Sequence, residues 1–169
     1  MINLHRTLSS RRSAVAIGWA AFAALNMSWL AWGQEQSTAI AKDAIFARKI
    51  LMDTISNNMD EIETMTASGK GVNLTEGREH ADTISIMLMA FPHLFAGETN
   101  QWKPDVGRDT YASPEVFINY PDFYAKAASA SKIAYNASRA KQEDDFKKFV
   151  VELRVACDSC HAVYLKAAQ

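Results

Sequence analysis

The chain of 169 residues is long enough for one domain and too short for two ordinary ones. Hydrophobic residues make up 49% and charged residues 22%, so the chain can bury a core and is not predicted to be disordered. It has only 7 glycines and 4 prolines, which argues against an all-β fold because such folds need many turns.

The first 33 residues have the layout of a secretory signal peptide. Three arginines and no acidic residue precede an apolar run from Ala14 to Leu25, and Ala31-Trp32-Gly33 offers small residues before a cleavage point. We therefore predict that residues 1–33 are a signal peptide and that residues 34–169 form one exported domain. An uncleaved membrane anchor is the alternative, since Ala14 to Gly33 is just long enough to span a bilayer.

Removing the signal peptide makes the predicted domain acidic. Three of the 18 basic residues and none of the 19 acidic residues lie in residues 1–33, so the remaining formal charge is −4. No cluster of lysine and arginine remains in the domain. The sequence therefore predicts no nucleic-acid partner.

Two amphipathic helices are predicted in the first half of the domain. The first runs from about Ser37 to Ala67, where apolar residues recur at steps of three and four, and Gly69 suits its C-terminal end. The second opens at Thr75, a suitable N-cap residue, and Pro92 marks its end. Residues 96–112 show no clear period and are predicted to form a long connection. The apolar stripes of the two helices consist of Ile45, Met52, Ile55, Met59, Ile62, Ala81, Ile84, Leu88, Phe91 and Phe95.

Two further helices are predicted in the second half. The third starts at Ser113-Pro114-Glu115, which combines an N-cap, a proline at the first helical position and an acidic first turn, and it runs to about Ala140. Pro121 should kink or divide this helix near Tyr120. The fourth starts near Gln142 and extends toward the C-terminus. Four amphipathic helices of this length predict an all-α fold, an antiparallel four-helix bundle.

The last helix carries the pattern Cys157-x-x-Cys160-His161. On a helix these three residues share one face. Two thiols at this spacing can each bond one vinyl group of a haem, and the following histidine can bind the iron as proximal ligand. We therefore predict one covalently attached haem c, with its iron, held by the C-terminal helix. The alternatives are a thioredoxin-like redox pair, which would follow a strand, and a zinc site, which would need further ligands.

Spacing alone does not choose the second axial ligand of the iron. A methionine there gives a six-coordinate electron carrier, whereas an open position gives a five-coordinate iron that binds small gases. A methionine on an apolar stripe usually fills the core instead. The candidates are Met52, Met59, Met65, Met87, Met89, His80 and His93.

A four-helix bundle with CxxCH near its C-terminus resembles the class II cytochromes c, which comprise cytochrome c′ and its low-spin relatives of the c-556 type. The resemblance covers about Thr38 to Lys166. It implies that Arg48 matches an arginine near the haem propionates, and that Met52 matches the residue facing the distal side of the haem. After the haem histidine, Tyr164 keeps the family's aromatic residue, whereas Leu165 replaces an arginine that the family often has.

The resemblance implies a periplasmic monohaem electron-transfer protein with His161 and Met52 as axial ligands, and not an enzyme. It also implies redox partner proteins of a periplasmic or respiratory chain, and a homodimer, which family members often form. The first alternative is a five-coordinate cytochrome c′ that binds nitric oxide or carbon monoxide. The second alternative is a thiol–disulfide oxidoreductase.

Overall fold

A computed structural model describes the backbone of residues 14–67, 69, 71–102 and 110–166, and side chains within these ranges from Ser37 onward. The chain divides into two compact units, Met1–Ala39 and Ile40–Gln169. Residues 1–13 of the predicted signal peptide lie outside the described residues, and the backbone from Ala14 onward is helical. Among the residues that the structure describes, no helix is both long enough and apolar enough to span a bilayer.

The described chain contains five α-helices separated by short turns and one longer connection. They are α1 (Ala14–Ala67), α2 (Leu74–Ala90), α3 (Glu115–Ile118), α4 (Tyr120–Ser138) and α5 (Glu143–Tyr164). Two 3₁₀ turns, Phe91–Leu94 and Gly97–Thr99, lie between α2 and α3. One isolated antiparallel bridge joins Ala112 to Leu165, and no β-strand occurs among the described residues. The predicted all-α class is confirmed.

Helices α1, α2, α4 and α5 bring their apolar faces together in one core. The buried members of this core are Ile55, Met59, Ile62, Ala81, Ile84, Leu88, Ala130, Ala134, Ala137, Ala140, Phe146, Val150 and Leu153. The predicted stripes of the first two helices supply six of these 13 residues, because side chains three and four positions apart lie on one helix face. The four-helix bundle predicted from periodicity is therefore confirmed.

The C-terminal end of α1 and the N-terminal end of α2 test the predicted capping residues. α1 ends at Ala67, and Gly69 beyond it has φ +66°, the left-handed conformation that follows many helices. The N-cap of α2 is Asn73, whose side-chain Oδ1 accepts a hydrogen bond from the backbone N–H of Glu76. The prediction of Thr75 as N-cap is wrong. The side chain of Asn73, two residues earlier, already accepts the hydrogen bond from a backbone N–H of the first turn.

The third predicted helix is divided in two by Pro121, as expected. Pro121 lies in the first turn of α4, where a missing N–H leaves no hydrogen bond unmade. The predicted N-cap role of Ser113 is wrong, because Pro114 occupies that position. Ser113 is fully buried, and its hydroxyl donates instead to the carbonyl of Val163 in α5 at 3.4 Å.

Small residues allow α2 to approach its neighbours closely. The hydroxyl of Ser85 in α2 donates to the carbonyl of Ser131 in α4 at 3.0 Å, and the hydroxyl of Ser131 donates back to the carbonyl of Ser85 at 2.8 Å. Gly77 faces the buried ring of Phe146, and a Cβ added to Gly77 would lie 2.7 Å from Cζ of that ring. These contacts fix the spacing of α2, α4 and α5.

Replacing Gly77 by alanine should destabilise the bundle, although alanine is the better helix former by about 1 kcal/mol. The added methyl group would overlap the Phe146 ring, which is fully buried in the core. We expect a net loss of about 1–2 kcal/mol in the free energy of unfolding, measured by urea titration. Gly97→Ala is the matched control, because no atom lies within 4 Å of a Cβ added there. A Gly77→Ala protein as stable as the wild type would contradict this account of the packing.

Candidate functional site

The CxxCH residues of α5 border two adjoining cavities within the bundle. The inner cavity has a volume of about 80 Å³ and the outer cavity about 380 Å³. Cys157 borders the inner cavity. The residues that border both cavities are Met52, Phe91, Phe123, Cys160 and His161. The structure therefore brings the two thiols, the imidazole and Met52 together around one space.

The two cysteines form no disulfide with each other, and both are half-buried. Burial raises the pKa of Cys157, and burial together with the neighbouring Cys157 raises the pKa of Cys160 to about 11. Catalytic thiols require the opposite, a pKa lowered by a cation or a helix N-terminus. These two thiols lie near the C-terminal end of α5, where the helix dipole also disfavours a thiolate. The environment does not support a thiol–disulfide enzyme.

The part of the chain that the structure describes contains no set of ligands for a zinc ion. No group of three or more histidine, cysteine, aspartate or glutamate side chains in that part could hold a metal ion. A structural zinc site needs four such ligands. The described residues therefore give no support for zinc at the CxxCH motif.

His161 lies in the last turn of α5 and borders both cavities. The residue as a whole is exposed, but burial of the ring lowers its pKa, against an opposing effect of Asp158. A lowered pKa keeps the imidazole neutral near pH 7. One ring nitrogen of a neutral imidazole carries a lone pair that can bind a metal.

Met52 is the candidate distal residue that the structure places at both cavities. It is half-buried on α1, whereas His161 lies on α5. Met59 is fully buried and borders the inner cavity alone. The remaining candidates, which border neither cavity, are Met65, Met87, Met89, His80 and His93. The ring of His80 instead lies 2.7 Å from Oδ1 of Asn58, a contact between α2 and α1.

Arg48 is a buried cation at the outer cavity, with only 4% of its surface exposed. Its guanidinium lies over the ring of Phe95 at 4.2 Å, and Nη2 donates to the carbonyl of Thr99 at 3.3 Å. Nε and Nη1 have no hydrogen-bond partner among the described residues. Burial lowers the pKa of Arg48 to about 10. A buried guanidinium with two unmet donors is complementary to an anionic group placed in this cavity.

Two further cations border the inner cavity and were not predicted. Arg154 of α5 donates from Nε and Nη2 to the carboxylate of Glu63 in α1, at 2.6 and 2.8 Å. Its position three residues before Cys157 places it on the motif face, so helical spacing could have identified it. Lys126 of α4 also borders the inner cavity. Only the packing of α4 against α5 brings Lys126 there, and no sequence signal indicated it.

These residues fit a covalently attached haem. Two thiols and an imidazole on one helix face supply the attachment groups, and Arg48 supplies an unpaired buried cation for an acidic substituent. The apolar walls that would enclose the macrocycle include Ile45, Ile55, Leu88, Phe91, Phe95, Val116 and Phe123. A four-helix bundle with such a site on its last helix defines a c-type cytochrome of the bundle class.

The chain belongs to the cytochrome c′ family. The family model described as Cytochrome C' matches residues 43–165, which are most of the chain. The protein is accordingly a monohaem c-type cytochrome, with haem c attached through cysteine. Among curated proteins, none matches this chain significantly.

Solved structures of similar proteins share the fold. Cytochrome c′ from Thermochromatium tepidum is 21% identical with a TM-score of 0.64, over 75% of this chain and 97% of that chain. Oxidized cytochrome c556 from R. palustris is 19% identical with a TM-score of 0.64, over 75% and 98%. A nitric oxide complex of a mutant cytochrome c′ from Alcaligenes xylosoxidans is 14% identical with a TM-score of 0.63, over 75% and 97%.

The ion pair between Glu63 and Arg154 should make stability depend on acidity. The hydrogen bond from Arg154 holds the pKa of Glu63 below 4.5 in the folded protein. The stabilisation is therefore present above about pH 4.5 and is lost as the pH falls through the lower folded-state pKa. Glu63→Gln should lower the free energy of unfolding at pH 7 by about 1 kcal/mol or less, since both side chains are more than a third exposed.

Chemical denaturation of wild type and variant between pH 3 and pH 7 checks this dependence. The difference in the free energy of unfolding between wild type and Glu63→Gln should shrink below pH 4.5. Glu152→Gln is the matched control, because the carboxylate of Glu152 lies 3.9 Å from Lys148 on the same exposed helix face. A difference for Glu63→Gln that stays constant over the whole range would show that the pair is not the source of the effect.

Proposed function

We propose that the protein is a periplasmic monohaem cytochrome in which Cys157 and Cys160 hold the haem and His161 is the proximal ligand of its iron. The observation that carries the proposal is that all three residues border the inner cavity from one face of α5, and that Cys160 and His161 also border the outer cavity. When bound, the haem supplies an iron centre that takes up one electron or one diatomic ligand. The residues of the chain hold and shield this group and break no substrate bond, so the protein is not an enzyme.

The anionic end of the haem is proposed to lie in the outer cavity beside Arg48. The two unmet donors of Arg48 support this orientation, because a carboxylate can accept both in charge-assisted hydrogen bonds. Lys49, the next residue of α1, also borders the outer cavity and adds a second positive charge there. The inner cavity would then receive the apolar part of the ring.

Binding of nitric oxide or carbon monoxide at an open distal position is the function that the comparisons favour. The family is that of cytochrome c′, and one protein of similar structure was solved as its nitric oxide complex. In this form Met52 lines the cavity as an apolar wall and does not bind the iron. The proposed role of the protein is then to take up such a gas in the periplasm.

Single-electron transfer with Met52 as the second axial ligand is the other candidate. The position of Met52 favours it, because this thioether shares both cavities with His161 and comes from a different helix. A methionine ligand would fill the sixth position and raise the reduction potential. One of the similar structures is a cytochrome c556. In this form the partners would be redox proteins of a periplasmic or respiratory chain.

Export and assembly complete the proposal. Residues 1–33 are proposed to direct the chain to the periplasm, in keeping with their signal-peptide layout. A homodimer is also proposed. A cytochrome c′ of similar structure shows ligand-controlled dimer dissociation, which supports a dimer for this chain.

Visible spectra of the purified protein with and without carbon monoxide separate the two forms. For the gas-binding form we expect high-spin spectra in both oxidation states and a spectral change within seconds of adding carbon monoxide. Met52→Ala should keep the high-spin state, because Met52 is not a ligand, and it should bind carbon monoxide faster since a bulky wall is removed.

A low-spin wild type that becomes high-spin in Met52→Ala would contradict the gas-binding form and assign electron transfer with Met52 as ligand. Met89→Ala is the matched control, because Met89 is exposed on α2 and borders neither cavity. Its spectra should equal those of the wild type in either case.

A further inference from the structure

His161 lies at the end of its helix, where the backbone is least constrained. α5 ends at Tyr164, and the last hydrogen bond of the helix runs from the N–H of Leu165 to the carbonyl of His161 at 3.0 Å. The final carbonyls of a helix lack partners within it, and helix ends fray. Whatever fixes this last turn therefore also fixes the direction of the imidazole.

Tyr164 ties the last turn of α5 to α4. It is 4% exposed, and its hydroxyl donates to Oδ2 of Asp122 at 2.6 Å. Its ring packs edge-on against Phe123 with 5.3 Å between ring centroids, and both rings border the outer cavity. Because Tyr164 follows His161 by three residues, the two side chains lie on the same face of α5. The hydroxyl bond therefore acts on the turn that carries the imidazole.

Backbone bonds hold the same turn from the other side. The N–H of Ser113 donates to the carbonyl of Tyr164 at 2.9 Å, and the N–H of Lys166 donates to the carbonyl of Tyr111 at 3.0 Å. These bonds do not involve the phenol group. Replacing Tyr164 by phenylalanine would keep them and the ring packing, and would remove the hydroxyl bond alone.

We infer that Tyr164 and Asp122 form a positioning pair that fixes the orientation of the His161 imidazole toward the bound haem. The inference rests on the proposed role of His161 as proximal ligand. Asp122 lies in the first turn of α4, and α4 is held against α2 by the reciprocal Ser85–Ser131 bonds. The pair thus connects the ligand-bearing turn to the rigid part of the bundle. A phenylalanine in place of Tyr164 would fill the same space without making this connection.

Amide hydrogen exchange and spectroscopy of the haem-loaded, full-length protein test the pair. The exchange rate of the Leu165 amide reports opening of the last turn, because this amide bonds to His161. The iron–histidine stretching band in the resonance Raman spectrum of the reduced protein reports the geometry of the ligand. If the iron is six-coordinate, the midpoint potential of the haem is measured instead of that band. Tyr135→Phe is the control, because Tyr135 is an exposed tyrosine of α4 remote in sequence from Asp122.

We expect Tyr164→Phe to keep the haem attached, to accelerate Leu165 exchange about tenfold or more, and to shift or broaden the band. The factor follows from losing a hydrogen bond to a charged group. Asp122→Ala should act in the same way, and the double variant should add little beyond either single change. Asp122→Asn keeps an oxygen acceptor and should stay close to the wild type.

Wild-type exchange and an unshifted band in haem-loaded Tyr164→Phe would overturn the inference and leave the proposed haem attachment intact. If Tyr164→Phe does not fold, the comparison of Asp122→Ala with Asp122→Asn tests the inference instead. Equal Leu165 exchange rates and equal iron–histidine bands in those two variants would overturn it. A wild-type protein without covalent haem would instead refute the proposed function itself.

Discussion

The haem site depends on one geometric constraint: two thiols and an imidazole at positions i, i+3 and i+4 must lie on a single face of a helix, and the packing of that helix must turn this face inward. In α5 the core residues Phe146, Val150 and Leu153 precede the motif in the same helix. Burying those residues against the bundle also turns Cys157 and Cys160 toward its interior. The orientation of the site is therefore set by the packing of the core.

The bundle is packed unevenly along its length, and this creates room for the site. Gly77 lets α2 approach the Phe146 ring of α5 closely, and the small residues Ser85 and Ser131 bring α2 close to α4. Around Met52 the same helices leave two adjoining cavities. Cationic side chains border these cavities although the predicted exported domain is acidic overall. Positive charge next to a haem favours its reduced state and attracts its carboxylates.

Periodicity and one motif predicted the fold class, the division at Pro121 and the shared location of Cys157, Cys160 and His161. These features depend on local spacing, which a sequence displays directly. Arg48 and Met52 were identified through family resemblance, and the structure places both at the cavities. That placement fits their expected roles and leaves the roles themselves as proposals.

Features that depend on packing between helices could not be predicted. Lys126 reaches the inner cavity, and Asp122 reaches Tyr164, only because α4 lies against α5. No periodic pattern in the sequence encodes that pairing. The N-cap of α2 was misplaced because Thr75 and Asn73 are both good capping residues, and only the backbone path selects one. The buried position of Ser113 likewise depends on its contact with Val163 in a distant part of the chain.

Covalent attachment of haem to Cys157 and Cys160 is tested by the mass of the polypeptide after extraction with acidic acetone, following expression in a host that matures c-type cytochromes. Acidic acetone removes haem that is held without covalent bonds. We expect a coloured polypeptide heavier than the bare chain by the mass of one haem, with both Cys157 and Cys160 consumed. A colourless polypeptide with the mass of the bare chain and two free thiols would contradict it.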